Sequence, residues 1–487
     1  MGKYKRLLSN TAILGAGTFA SKVLVLLLMP LYTRLLTTGE FGTADLISQT
    51  ANLLMPIAAI GICDGIFRFT LDAAEDKKKV LSTGIAIILM GSAAILGVVQ
   101  ILRFYAPLSN YVFLVAAYVI AANIHLAFAN YIRAEGKNGL FAVQGIINTV
   151  LTIGFNIIFL IIMPKYFSEF VGDESQMRCV GYVLSVVIAD ALMCVFLFFA
   201  GKLYKSLSPK AVDKKIAGNM LKFSIPYIPT TIMWLITSVS DRYIVTYFRS
   251  AEENGLYAVA YKLPTILSLV GGVFIEAWHF SSVKDADEEE KASFFGTVYD
   301  NFMGFMFMCG AIIIAMAQIF TKILVDESYF DSWQYVPVLV IATTFSTLVS
   351  FLGSVYFLKK KSAVSMLTAM AGALTNIALN FALIPFFGAM GAAVATLACY
   401  MLVYVIRAVN TRKYVRFNLH TVRVIINTLL LGAQCAAWLV QVKLNVNYMW
   451  VAQIVIPIII VIFNGKGIVL TVLKLFKRFF GKNSEKF

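Results

Sequence analysis

The stretch FSIPYIPTTIMWLITSVSDRYIVTYF, residues 223–248, has the length and greasiness of a membrane span, yet it carries an acid and a guanidinium, Asp241 and Arg242. A charge at the centre of a span costs about 2.5–3.5 kcal/mol on insertion scales, so a residue kept there faces a polar interior. The surrounding chain has the same apolar character: 60% of its 487 residues are hydrophobic and 14% are charged. Soluble domains carry about 25% charged residues. The chain therefore reads as an all-α integral membrane protein. Its six cysteines form no CxxC pair, so neither a zinc site nor a disulfide framework is indicated. They read as small apolar packing residues.

A hydrocarbon core about 30 Å thick needs about 20 apolar residues per helix. Fourteen runs meet that need: 8–35, 42–71, 80–102, 108–132, 139–163, 179–200, 221–248, 255–280, 294–320, 333–358, 363–386, 389–410, 420–442 and 447–465. They are continuous, not alternating, which disfavours a β-barrel. Of the 41 Lys and Arg residues, 30 fall in segments on the N-terminal side of the membrane, 7 on the other side, and four (Lys22, Arg68, Arg242, Lys262) inside spans. That bias places both termini in the cytoplasm and makes the net charge of +15 a topology signal, not a nucleic-acid footprint. The first run is too long for a signal-peptide core and reads as an uncleaved span. The tail GKGIVLTVLKLFKRFFGKNSEKF alternates basic and apolar residues and reads as an interfacial anchor helix in contact with membrane lipid.

The two halves echo each other. LLTTGEFGTADL links spans one and two, FRSAEENGLYAVAY links spans seven and eight, and Gly42 aligns with Gly255 at an offset of 213. Residues 1–210 and 211–415 thus read as two pseudosymmetric six-helix lobes, 416–465 as an extra helix pair and 466–487 as the basic tail. Internal symmetry of this kind marks transporters with a site between repeats.

NTAILGAGTFASKVLVLLLMPLYTRLLTTGEFG (10–42), IRAEGK (132–137) and NGLYAVAYKLP (254–264) resemble the bacterial polysaccharide-export flippases, the Wzx-type members of the multidrug/oligosaccharidyl-lipid/polysaccharide (MOP) superfamily. The resemblance spans residues of about 5–411. It implies two lobes in a V around a central cavity and alternating access. It also implies passage of undecaprenyl-diphosphate-linked oligosaccharide across the bacterial cytoplasmic membrane for surface polysaccharide, with glycosyltransferases and a glycan polymerase as pathway partners. Fourteen spans depart from the commoner twelve and are similar to the lipid II flippases of the same superfamily.

The intramembrane charges cluster in spans one, two, seven and eight. Lys22, Arg68, Arg242 and Lys262 are the expected ligands of a diphosphate headgroup, which Arg takes bidentately and Lys as a compact cation. Asp64, Asp241, Glu276 and His279 are the expected coupling groups for H⁺ or Na⁺; no other cofactor and no metal is expected. Against this stand plainer readings. Asp64 and Arg68, four apart, can neutralise each other; Arg242 can snorkel outward; Asp45 and Arg34 suit an interface; His125 suits core packing and His420 an interface. GAGTF at 15–19 follows no strand, no Walker motif is present, and no nucleophile–base set emerges, so the chain reads as a non-enzyme. The competing functions are a lipid II or other cell-wall-precursor flippase, a multidrug or cation antiporter, and a membrane glycan polymerase. Four basic intramembrane residues favour an anionic cargo over a cationic drug, and the short outer segment 164–178 argues against a polymerase.

Overall fold

The computed structural model describes residues 27–72, 75–166, 174–282, 288–359, 361–444 and 450–480, and among these it is helical throughout, without strands. In chain order the helices used below are α1 (Met29–Leu35), α2 (Thr38–Ala58), α3 (Ile62–Thr70), α4 (Lys77–Val98), α5 (Val112–Ala134), α6 (Asn138–Ile157), α7 (Glu174–Ala200), α8 (Lys214–Ser224), α9 (Ile228–Phe248), α10 (Ala251–Ala260), α11 (Lys262–Ser282), α12 (Glu288–Ala315), α13 (Ala317–Leu324), α14 (Val336–Leu358), α15 (Ser362–Thr411), α16 (Thr421–Leu444) and α17 (Trp450–Phe480).

Among the described residues eight helices are long and apolar enough to cross a membrane, ten if each of two bent pairs is one span. This is fewer than the fourteen runs expected, for physical reasons. The first run lies mostly outside the described residues. Two runs expected as separate spans, 363–386 and 389–410, are counted together because no loop parts them: α15 is two helices that meet at a kink at Gly388 (φ 58°, ψ −141°), where the sequence split falls. The last run is short, and α9 is not among the eight. The basic tail is not a separate helix up to Phe480 either: α17 runs unbroken from Trp450.

Two compact units divide the structure. One holds residues up to 258 with 324–329; the other holds 259–323 and 330–487. In the first unit, α3, α4, α5 and α7 share an apolar core that includes Ile62, Ile66, Leu81, Phe128, Ile132 and Leu197. A second core joins α2, α5 and α7 through Leu46, Ile47, Val115, Val119 and Val183. Between α2 and α3 the chain turns sharply. Ile60 and Gly61 both adopt left-handed backbone (φ 50° and 64°), and the two helices meet at 55°. Only the glycine holds that conformation without steric cost.

The second unit has an aromatic centre. Trp278 stacks on Phe351 at 5.2 Å and donates to Ser354 Oγ at 2.9 Å, and Phe274 stacks on Phe302 at 4.4 Å. Its C-terminal helix pair is fastened by polar side chains. Asn427 and Asn464 exchange amide bonds at 3.0 and 2.8 Å, and Arg423 pairs with Asp300 on α12. Arg407 is the buried cation of this unit's α15. It falls in an expected cytoplasmic segment but is buried on α15, donating to Thr368 Oγ1 (3.0 Å) and Val349 O (2.9 Å) beneath the Tyr356 ring.

Candidate functional site

The charged pair of α9 does not snorkel. Asp241 is fully buried, Arg242 is 4% exposed, and Asp45 of α2 is buried against them. Arg242 Nε donates to Asp45 Oδ2 at 2.8 Å, and one terminal nitrogen donates to Asp241 Oδ1 at 3.1 Å and to Ser238 O at 2.8 Å. Tyr257 of α10 donates to Asp241 Oδ2 at 2.6 Å, and its ring lies 5.7 Å from the guanidinium. Although adjacent on the helix, the two residues thus share one network, because the long arginine side chain folds back along its own helix. A buried pair keeps its charges only where hydrogen bonds satisfy the remaining lone pairs and protons; here Asp45, Ser238 O and Tyr257 supply them around Asp241 and Arg242. The neighbouring residue repeats the link between α9 and α2: the Tyr243 hydroxyl lies 2.6 Å from Thr50 Oγ1.

Beside this network α2 and α10 meet backbone to backbone. A Cβ on Gly42 would lie 1.9 Å from Ala251 O, and one on Gly255 would lie 1.9 Å from Thr38 O. Asn254 donates to Gly42 O at 2.9 Å. The two glycines that align between the sequence halves therefore touch. A recess of about 350 Å³ opens next to the contact, lined by Glu40, Glu252, Gln176, Asn110 and Thr37 among others. Glu40 is committed to a capping box with Thr37 at the start of α2.

The other expected site residues fall elsewhere. Asp64 and Arg68 share the exposed face of α3, while Ile62, Cys63, Gly65 and Ile66 bury the opposite face. Lys262 is half-buried at the first turn of α11, in the second compact unit. Glu276 and His279 ride on the same helix, but their side chains lie outside the described residues, as does all of Lys22. The structure therefore joins Asp241 and Arg242 and sets Asp64 beside Arg68. The sequence reading gives Asp45 an interface role and has no role for Tyr257. It also leaves out Asp190, an acid in the middle of α7 that bonds His125 (2.8 Å). One signal for Asp190 was present, a carboxylate inside the run 179–200.

Residues 7–278 match the family described as polysaccharide biosynthesis protein. No curated protein matches the chain. Solved structures share the fold. The lipid II flippase MurJ, in an inward closed conformation, is 14% identical with a TM-score of 0.66, and the match covers 96% of this chain and 99% of that one. An inward-facing multidrug resistance MATE family transporter of the MOP superfamily is 12% identical with a TM-score of 0.56, covering 78% and 95%. A MOP superfamily transporter from Pyrococcus furiosus is 11% identical with a TM-score of 0.55, covering 83% and 94%. At these identities the structures speak for the fold, and the family match speaks for descent. Because that match spans more than half of the chain, this multi-pass membrane protein belongs to the polysaccharide biosynthesis protein family.

Proposed function

We propose that the protein moves undecaprenyl-diphosphate-linked oligosaccharide from the inner to the outer leaflet of a bacterial cytoplasmic membrane, for surface polysaccharide synthesis. It does so by alternating access, with both termini in the cytoplasm and no covalent chemistry on the cargo. The observation that carries this reading is α3. One face is packed into the core, and the other holds Asp64 and Arg68 exposed within a bent membrane helix. Charges in such a helix are tolerated where they meet water or an ion, and Arg offers the bidentate donors a diphosphate takes. Arg68, with Lys22 and Lys262, would hold the headgroup while the lipid tail stays in hydrocarbon. Arg242 enters that set only once its network with Asp45 and Asp241 opens, so in this state it serves as part of a closure at the outer end. Asp64, Asp241, Glu276 and His279 remain the proposed groups for H⁺ or Na⁺ coupling.

A second reading has support of its own. The lipid II flippase fold covers nearly the whole chain, including the stretch beyond the twelve-span core. Lipid II also presents a diphosphate, so the same cations would serve it.

The test substitutes Lys22, Arg68, Arg242 and Lys262 by Ala together, and Arg68 by Ala alone, in cells whose glycan export depends on this protein. We expect the quadruple variant to be inserted in the membrane but not to export. Arg68→Ala should cut export by about tenfold or more, the worth of one charge-assisted contact of roughly 1.5–3 kcal/mol. Normal export by the quadruple variant overturns the assignment. Undecaprenyl-linked intermediates should then accumulate on the inner leaflet; accumulation of lipid II alone would select the second reading.

A further inference from the structure

Away from the α9 network, the first compact unit buries a second ionisable cluster. His125 of α5 places Nδ1 2.8 Å from Asp190 Oδ1 on α7 and Nε2 2.7 Å from Gln144 Oε1 on α6. Asn148, one turn after Gln144, donates to the same carboxylate oxygen at 3.0 Å. The His125 and Asp190 side chains are 13% and 8% exposed. A neutral imidazole offers one donor and one acceptor, whereas an ionised carboxylate and an amide carbonyl only accept. Both ring nitrogens here face acceptors, so the arrangement is satisfied when both carry hydrogen. Removing one proton leaves a lone pair against an oxygen unless Gln144 turns its amide to present its NH₂ group. Occupancy by a proton is thereby tied to the orientation of a side chain on α6. That helix passes into a π turn at Ile158–Ile162, a backbone irregularity that occurs frequently at functional sites.

The charge balance points the same way. Imidazolium and carboxylate together are neutral; without the proton the pair carries −1 inside an apolar bundle, where isolated charge is costly. The helices packed around it supply little else that ionises. From α5 itself Tyr118, and from α7 Cys194, lie within electrostatic reach of Asp190. α6 contributes the neutral Gln144 and Asn148. From α3 comes Cys63, whose thiol is spent on Asn123 O, and α2 meets α5 through Met55 O, which accepts from Asn123. Among the described residues the ion partner of Asp190 within 4 Å is His125.

We infer that His125 and Asp190 form a proton-binding site that takes up and releases H⁺ during the transport cycle. Uptake forms the second ring N–H bond with a proton from water, and no electron moves. The site itself stands on this geometry; its place in the cycle rests on the proposed function. The test has two arms. In the first, the full chain carrying ¹⁵N-labelled histidine is placed in lipid nanodiscs and its ring nitrogens are read by NMR at neutral pH. The His125 resonances are assigned by their loss in His125→Gln or, should that variant not fold, by elimination with His279→Gln and His420→Gln. We expect two N–H bonds on His125 in the wild type and one in the near-isosteric Asp190→Asn. A singly protonated wild-type ring, or a doubly protonated ring in Asp190→Asn, overturns the inference. In the second arm, vesicles holding the full chain are given undecaprenyl-diphosphate N-acetylglucosamine as probe, with and without a gradient of about one pH unit. The gradient should change wild-type flipping by up to about tenfold. Asp190→Asn should flip at its gradient-free rate in both conditions, and a wild-type response in that variant overturns the coupling. If the wild type flips no probe at all, the proposed function falls while the first arm still judges the site.

Discussion

Arg242 shows how a membrane interior holds a cation. Its guanidinium is met by Asp45, by Asp241 and by the Ser238 carbonyl, and Tyr257 satisfies the second oxygen of Asp241. Removing one partner from a buried pair leaves the other charge exposed to a low dielectric, at about 3–5 kcal/mol. Asp241 still balances Arg242 after Asp45→Ala, so the expected loss is near the lower figure, about 3 kcal/mol. It should appear as a fall in the unfolding temperature of the purified full chain, and the double variant Asp45→Ala/Arg242→Ala should cost less than the sum of its parts. Additive costs would mean that the contact carries no coupling. The sequence makes half of this network legible. A charge within a greasy run is conspicuous, which is why Asp241 and Arg242 stand out. Asp45 sits near a span end, where an acid is unremarkable, and its partner is 197 positions away. No local pattern links them. His125 is hidden for the opposite reason: a lone histidine suits core packing until the atoms facing its two nitrogens are known.

Among the helices, the approach of α2 to α10 is set by what Gly42 and Gly255 lack. At 1.9 Å from a carbonyl oxygen a methyl group has no room, and neither oxygen belongs to a side chain that could swing away. Gly42→Ala must therefore push the helices apart, breaking the Asn254 bond to Gly42 O and straining the Asp241–Tyr257 contact nearby. Overpacking of this kind costs about 1–3 kcal/mol. Because Gly42 and Gly255 serve one contact, Gly42→Ala/Gly255→Ala should cost little more than either change alone; a calorimetric scan of the three variants decides. Aligning the two links in the sequence finds both glycines, since each sits at the same place in its repeat. That they touch is not in the pattern, because repetition gives equivalence and says nothing of contact. Helix ends are also less legible than helix existence. Gly388 reads as a boundary between two spans, and the backbone does break there, at a kink of one positive-φ residue with no loop around it. The last span and the tail, expected as separate pieces, are one continuous helix, α17, up to Phe480.

For the molecule as a whole, the proposed alternating access would require that the contact between the two repeat-related links open and close once per cycle. In the structure the ion network, the glycine approach and the Asn254 bond all hold α2 to α10 and α9. On the proposed topology, with both termini in the cytoplasm, this contact would lie on the outer side, opposite the basic segment at 77–79. If it is the outer gate, fixing it shut must stop flipping without unfolding anything, and releasing it must restore flipping. A Cβ on Gly39 would lie 3.5 Å from Glu252 Cγ, the place a cysteine sulfur at 252 would take, so the two positions suit a disulfide test. The variant Gly39→Cys/Glu252→Cys should therefore cross-link under mild oxidation. Cys179 lines the same recess as both positions, so the pair is introduced in a Cys179→Ser background; the other five native cysteines are buried or half-buried. We expect oxidised vesicles to lose flipping of a fluorescent undecaprenyl-diphosphate glycan by about tenfold or more, a change of about 1.4 kcal/mol or more in the limiting step. Dithiothreitol should return the rate to that of the reduced protein. Each single-cysteine variant, treated the same way, should be unaffected. A fully cross-linked protein that flips at the normal rate would mean that cargo passes without parting α2 from α10, and the gate would have to be sought elsewhere in the fold.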